Sequence, residues 1–196
     1  MGGNVVIFGP SGLVGGAALR HFDALPDWNV TALSRRPPAF QHGANFIPLD
    51  LMNRNACEDV LRQLSGTTHI IYTSLYEQQD VIRGWRAQEQ METNTTMLRN
   101  ALEPLDAAAG NLSHISLFQG TKAYGAHLRP PPVPARERWE RNDHQNFYWY
   151  QEDFGDSEDG VLKFVARFSS SDDRAFLRAE GVRIEYLEYD WRLNSQ

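Results

Sequence analysis

The feature that most constrains this chain is NVVIFGPSGLVGG at residues 4–16, in which a short apolar run ends in a series of glycines. The apolar run predicts a buried strand, and the amphipathic stretch that follows, residues 13–25, predicts a helix. Between them, Gly9, Gly12 and Gly15 have GxxGxxG spacing. Strand, glycine turn and helix in this order are typical of a βα unit that binds a dinucleotide.

The glycines of such a unit have separate roles. The first permits a tight turn, the second lets a pyrophosphate approach the backbone, and the third lets the helix pack closely on the strand. Amide groups at the helix start then bind the phosphates. A turn that only packs helix on strand is the alternative, and the context favours cofactor binding. The cofactor-binding residues predicted here are Gly9, Ser11, Gly12, Leu13, Val14 and Gly15.

Strand-like and helical stretches alternate over the first 125 residues, which predicts a parallel sheet with helices on both faces. The expected fold is a doubly wound α/β sheet of the Rossmann type. The predicted strands are residues 4–8, 28–34, 44–50, 68–74 and 112–120, and the predicted helices are 13–25, 53–64 and 81–109, with Trp85 and Met91 near one face of the last.

The alternation of strand-like and helical stretches ends after Tyr124. Four prolines in residues 127–139 predict an extended surface loop, and cap-type residues ahead of the aromatic cluster in 142–154 predict a helix start. Beyond it, 161–168 and 181–191 are strand candidates. We therefore divide the chain into a dinucleotide-binding domain, residues 1–153, and an unassigned tail, residues 154–196.

Composition narrows the class of protein. The chain has 196 residues, of which 41% are hydrophobic and 22% charged, as in one soluble globular domain. A net charge of −6 disfavours nucleic acid as a partner, and no apolar stretch is long enough to span a bilayer. The N-terminus shows no leader and Cys57 is the only cysteine, so we expect a cytoplasmic protein. The histidine spacing predicts no metal site.

The end of the second strand indicates which dinucleotide is bound. An NAD enzyme places an acidic residue there to hold the ribose 2′-hydroxyl, whereas this chain has Ser34, Arg35 and Arg36. Two guanidinium groups suit a 2′-phosphate. The sequence therefore predicts NADP(H), with a solvated arginine pair as the alternative.

Two further strand ends contribute candidates to the same pocket. Asp50 and Leu51 follow the third strand, where a carboxylate can accept from the adenine amino group and the next side chain can pack on the ring. Thr73 and Ser74 follow the fourth, at the edge where open α/β sheets bind ligands. A helix N-cap for Asp50 and turn hydroxyls for Thr73 and Ser74 are equally compatible with the pattern.

Several motifs together resemble the progesterone 5β-reductase/iridoid synthase-like branch of the short-chain dehydrogenases/reductases, particularly its bacterial members. They are GPSGLVGGAAL, LSRRPP, LDL, YTSLYEQ, QEQMETNTTMLRNAL, LFQGTKAYGAHL and NFYWYQED, in that order within residues 4–153. No tyrosine in the chain has a lysine four positions later. The resemblance implies that the catalytic pair is instead Lys122 of GTK and Tyr148 of NFY.

The resemblance also implies a reaction. Hydride passes from NADPH to an α,β-unsaturated carbonyl compound or to a carbonyl carbon, and Tyr148 stabilises the charge that develops on the substrate oxygen. Lys122 favours the tyrosinate and holds the nicotinamide ribose. The residues after Asp153 do not match the substrate-covering C-terminal region of the family, so we expect weak turnover from this chain. A non-catalytic NADP(H)-binding protein or inactive fragment is the alternative, and the oligomeric state stays open, a homodimer included.

Overall fold

The computed structural model describes residues 2–131, 141, 143–155 and 164–167. Within them the fold is an α/β sheet, as predicted. The strands are β1 (Asn4–Phe8), β2 (Asn29–Ser34), β3 (Asn45–Pro48), β4 (His69–Tyr72), β5 (His114–Gln119) and β6 (Phe164–Arg167). The helices are α1 (Leu13–Asp23), α2 (Arg54–Leu61), α3 (Val81–Gly84), α4 (Gln88–Ala108) and α5 (Phe147–Gly155), with short 3-10 helices at Arg62–Leu64 and Thr121–Tyr124.

All pairings in the sheet are parallel, and the strand order is β3-β2-β1-β4-β5-β6. The order reverses between β1 and β4, because the chain runs outward from β1 to β3 and then returns to the other side of β1. In a doubly wound sheet, ligands bind in the crevice at the carboxyl ends of the strands at this point. The residues that follow β1 and β4 therefore border the crevice in which a ligand is expected.

Alternation along β1 explains the two cores. Val5 and Ile7 belong to a cluster on one face of the sheet that includes Leu19 of α1. Val6 and Phe8 belong to the cluster on the other face, which includes residues of α2 and α4. Because side chains alternate between the faces of a strand, one apolar run supplies both cores.

The predicted helix over 81–109 is wrong in one respect, since it is two helices with a break at residues 85–87. Ala87 has an extended backbone and is the N-cap of α4. Contacts distant in sequence stabilise the break: the Trp85 indole donates to Glu77, and the Gln90 side chain accepts from the Gln78 backbone. Trp85 consequently lies in a third apolar cluster, with Met91, Ala123, Phe147, Tyr148 and Trp149.

Beyond residue 153, the predicted strand in 161–168 forms over Phe164–Arg167 and pairs with β5. The predicted strand at 181–191 and most of the proline-rich loop lie outside the described residues. Among the helices that are described, none combines the length and apolar character that crossing a membrane requires. In that part of the chain, no three His, Cys, Asp or Glu side chains come together in a way that could hold a metal ion.

Candidate active site

The glycine turn lies at the carboxyl end of β1, beside the end of β4. Gly9 has a φ of +80°, a conformation that side chains rarely adopt, and its N–H donates to the Leu33 carbonyl oxygen. A Cβ at Gly15 would overlap the Gly9 carbonyl oxygen and the Thr73 hydroxyl. These two glycines therefore have the predicted turn-forming and packing roles.

Gly12 differs from Gly9 and Gly15 because it lies at the open surface of the turn. It is the N-cap of α1, and no side chain caps the helix there. A Cβ at Gly12 would approach only the Gly9 carbonyl oxygen, at 3.5 Å. Ser11, Leu13 and Val14 are also exposed, so the first amides of the helix face an uncovered surface. This is the geometry that an anion at a helix N-terminus requires.

Thr73 has the structural role that the sequence left as the alternative. Its hydroxyl donates to the carbonyl oxygen of Phe8 at 2.6 Å and also contacts that of Gly9. The side chain therefore joins the end of β4 to the glycine turn. Ser74 follows it at the crevice and is half-buried, and its backbone nitrogen lies against Gly9.

At the end of β2, Ser34 and the arginine pair form a compact turn. The Ser34 hydroxyl donates to the Arg36 carbonyl oxygen at 2.7 Å. The side chains of Arg35 and Arg36 are exposed. Because β2 is the neighbour of β1 in the sheet, both guanidinium groups follow a strand end next to the glycine turn.

Asp50 and Leu51, which follow β3, differ in their exposure. Asp50 is exposed and accepts from the Met52 N–H, and the N-cap of α2 is Asn53, so Asp50 is not the cap. Leu51 is 6% exposed within the core, and its carbonyl oxygen accepts from the Asn100 side chain. Leu51 therefore packs mainly in the core, and its contact with an adenine ring stays a prediction, as does the adenine-binding role of Asp50.

Lys122 lies in the 3-10 helix that follows β5. Its ammonium donates to Glu77 Oε1 at 3.0 Å and lies 4.4 Å from the centroid of the Trp85 ring. Glu77 is in the segment after β4 and also accepts from the Trp85 indole N–H at 2.6 Å. Burial opposes the charge of Glu77, but the hydrogen bonds from Trp85 and Lys122 hold its pKa below the usual range.

Tyr148 lies in the first turn of α5. Its ring lies 5.1 Å from the Trp85 ring, and its side chain is almost fully buried. Burial raises the pKa of Tyr148 to about 12; a hydrogen bond with the Gly120 backbone opposes this rise, and Glu77 adds to it. This direction, set mainly by burial, is opposite to the one that the family resemblance implies for a lysine that favours the tyrosinate.

Two buried amides hold the segments of Lys122 and Tyr148 together. Asn146 donates to the Lys122 carbonyl oxygen at 2.8 Å and accepts from the Tyr148 N–H at 3.0 Å. Gln119, the last residue of β5, donates to the Tyr148 carbonyl oxygen at 3.1 Å. Asn146, Gln119 and Glu77 were not predicted from the sequence. Only Asn146 gave a signal, as a cap-type residue ahead of the aromatic cluster.

Comparison with known proteins places this site in a family. The model of the "NAD dependent epimerase/dehydratase family" matches residues 5–148, which is most of the chain and includes the glycine turn, Lys122 and Tyr148. The chain belongs to this family.

Relatives within reach of sequence comparison confirm the resemblance drawn from the motifs. The chain is 31% identical over 164 residues to a 3-oxo-Delta(4,5)-steroid 5-beta-reductase of Arabidopsis thaliana, covering 76% of this chain and 40% of the relative. It is 30% identical over 169 residues to an (S)-8-oxocitronellyl enol synthase of Catharanthus roseus, covering 79% and 41%. The chain spans about two fifths of the length of these two relatives.

Solved structures confirm the fold at lower identity. A UDP-glucose 4-epimerase is 17% identical with a TM-score of 0.67, over 85% of this chain and 51% of the epimerase. The enzyme WbmH of Bordetella bronchiseptica, solved with NAD+, is 18% identical with a TM-score of 0.64, over 92% and 64%. Both share the Rossmann-type sheet with this member of the family.

Proposed function

We propose that this chain is the cofactor-binding and catalytic part of an NADP(H)-dependent reductase that acts on an α,β-unsaturated carbonyl compound or on a carbonyl compound. The observation that carries the proposal is the joining of Lys122 and Tyr148 through Asn146, at the sheet edge that also holds the glycine turn. A protein that only sensed the dinucleotide would need the turn and the arginines, but not this pair.

The residues at the sheet edge fit a dinucleotide with a 2′-phosphate. Gly12 and the uncapped start of α1 offer backbone N–H groups for the pyrophosphate. Arg35 and Arg36 are exposed at the neighbouring strand end, where they can form charge-assisted hydrogen bonds with a phosphate. NADPH bound there would supply the hydride for the reduction.

The chain's own contribution to the chemistry is at Tyr148. With a pKa of about 12, the phenol is protonated throughout the neutral range, so it is a hydrogen-bond donor. A donor aimed at the substrate oxygen stabilises the negative charge that develops there as the carbon accepts hydride. Lys122, in the 3-10 helix after β5, would hold the ribose side of the cofactor while its ammonium stays paired with Glu77.

The relatives support the substrate class without defining the substrate. The Arabidopsis relative is named for a 3-oxo-Δ4,5-steroid, a carbonyl compound with an adjacent carbon–carbon double bond. Here the exposed apolar side chains of Leu75, Tyr76 and Leu128 follow β4 and β5. They favour a small apolar carbonyl compound over a charged one.

The test is NADPH oxidation with a panel of small enones and saturated ketones, beside direct titration of NADPH and NADH. High protein concentrations keep slow turnover measurable. Binding of NADPH together with oxidation that depends on the enone supports the proposal. Binding without turnover indicates a non-catalytic NADP(H)-binding protein, and equal affinity for NADH and NADPH rejects the cofactor assignment.

A further inference from the structure

Glu77 connects the two groups to which the proposed function assigns the chemistry. One oxygen, Oε1, accepts from the Trp85 indole at 2.6 Å and from the Lys122 ammonium at 3.0 Å. The Trp85 ring in turn contacts both Lys122 and Tyr148. Its centroid lies 4.4 Å from Lys122 Nζ and 5.1 Å from the centroid of the Tyr148 ring. One carboxylate therefore binds the ammonium and also orients the ring that packs against the tyrosine.

The backbone on both sides of Glu77 is held by buried amides of α4. The Asn94 side chain accepts from the Tyr76 N–H at 2.7 Å and donates to the Tyr76 carbonyl oxygen at 2.8 Å. Gln90 accepts from the Gln78 N–H at 2.8 Å. Both amide side chains are almost completely buried. Buried polar groups with satisfied hydrogen bonds specify a single arrangement. The hydrogen bonds to Tyr76 and Gln78 therefore fix the position of the backbone at Glu77.

We infer that Glu77 is a positioning residue that neutralises the Lys122 ammonium and thereby keeps Tyr148 in its hydrogen-donating form. A lysine ammonium without a counter-ion would favour the phenolate, which is a base suited to removing a proton from an alcohol. A phenol is suited to the opposite direction, because it donates to the oxygen of a carbonyl compound as that oxygen gains charge. The inference rests on the proposed function and adds that the site favours reduction.

Other charged and titratable groups lie near this pair. Burial lowers the pKa of His127 to about 4, with help from His144 and Arg86, so its imidazole is neutral at ordinary pH. Arg86 donates to the His127 carbonyl oxygen. Among the described residues, Glu77 acts on both Lys122 and Tyr148, whereas Arg86 and His144 act on His127. Glu77 is the carboxylate among them.

The experiment compares the ionisation of Tyr148 in the wild type and in Glu77→Gln, which keeps the shape and an acceptor oxygen for Trp85. Tyrosines are labelled with carbon-13 at ring Cζ, and the Tyr148 signal is assigned by its loss in Tyr148→Phe. We expect the midpoint of the Tyr148 titration to fall by about one pH unit or more in Glu77→Gln. Glu77→Asp should stay near the wild-type midpoint because it keeps the charge.

Two further variants make the result specific. Glu92→Gln removes an exposed carboxylate of α4 that bonds to Gln88, and it should leave the Tyr148 midpoint unchanged. Lys122→Met leaves the Glu77 carboxylate unpaired and should move the midpoint upward, the opposite direction. The same midpoint in wild type, Glu77→Gln and Lys122→Met would overturn the inference.

This titration separates the inference from the proposed function, since it needs neither cofactor nor substrate. If Tyr148→Phe keeps full turnover, the proposed function fails while the titration still decides the role of Glu77. If both hold, the basic limb of the pH–turnover profile should move to lower pH in Glu77→Gln by the same amount as the Tyr148 midpoint. A purely structural role for Glu77 would lower turnover without moving that limb.

Discussion

The side-chain amide of Asn146 donates a hydrogen bond to the backbone carbonyl oxygen of Lys122 at 2.8 Å. The amide oxygen of Asn146 accepts from the N–H of Tyr148, so one fully buried side chain sets the spacing between Lys122 and Tyr148, the proposed catalytic pair. Because the two members come from segments that are distant in sequence, this contact replaces the single helical turn that would otherwise join them.

Replacing Asn146 with alanine should therefore affect both folding and turnover. Leaving a buried carbonyl and a buried N–H without partners costs about 1–3 kcal/mol of unfolding free energy. Asn53→Ala, which removes the N-cap of α2 far from the pair, is the control, with an expected loss of about 1 kcal/mol. Chemical denaturation and NADPH oxidation measure the two effects. We expect turnover to fall in Asn146→Ala but not in Asn53→Ala, and equal turnover in both variants would contradict the account.

Two glycine substitutions should separate folding from cofactor binding. In Gly15→Ala the new methyl overlaps the Gly9 carbonyl oxygen, and overpacking of this kind costs about 1–3 kcal/mol. Gly12 has a φ of −85° and open space, so Gly12→Ala should fold normally and still block the pyrophosphate. Thermal unfolding without ligand measures the effect of each substitution on stability, and titration with NADPH measures its effect on cofactor binding. Wild-type NADPH affinity in Gly12→Ala would show that the turn does not bind phosphate.

The arginine pair should determine the choice between NADPH and NADH. Replacing Arg35 and Arg36 together by alanine removes charge-assisted hydrogen bonds to the 2′-phosphate, which are worth about 1.5–3 kcal/mol. This loss corresponds to a decrease in NADPH affinity of roughly 10- to 100-fold. NADH affinity should change little, because NADH lacks the 2′-phosphate. Arg62→Ala, at an exposed arginine that pairs with Glu58 on α2, is the control and should leave both affinities unchanged. A parallel loss for both cofactors would disprove the assignment.

Turnover should tolerate alkaline conditions well. Because the folded protein raises the pKa of Tyr148 to about 12, the phenol that donates to the substrate oxygen persists up to about pH 10. The pH dependence of turnover at saturating NADPH checks this. We expect no basic limb below about pH 10. A limb near neutrality that disappears in Tyr148→Phe would show that the tyrosine ionises earlier than its burial indicates.

The sheet and the glycine turn were predictable because their signals are local. The apolar run before Gly9 and the spacing of the glycines involve only residues that are close in sequence. The five predicted strands were likewise recognised from short apolar runs. The break at Trp85 was not predictable, since helical periodicity continues through it and the contacts with Glu77 and Gln78 are distant in sequence. The burial of Leu51 was not predictable either, because contacts with the core rather than the strand pattern decide the direction of its side chain.

The site itself was predictable only in part. Spacing alone did not identify Lys122 and Tyr148, which were proposed from a family resemblance. Glu77 is a single acidic residue in a loop, and its importance appears only when Trp85 and Lys122 are seen to share its oxygen. Side chains that act through long-range contacts leave no periodic pattern in a sequence.

The central claim is that Tyr148 donates to the substrate oxygen, and the most direct measurement is NADPH oxidation by Tyr148→Phe beside Tyr150→Phe. Tyr150 lies two positions further along the same helix with 40% of its surface exposed, so its variant controls for the loss of a hydroxyl. The account predicts that Tyr148→Phe binds NADPH normally and loses most turnover with the best enone, while Tyr150→Phe keeps both. Unchanged turnover in Tyr148→Phe would contradict it.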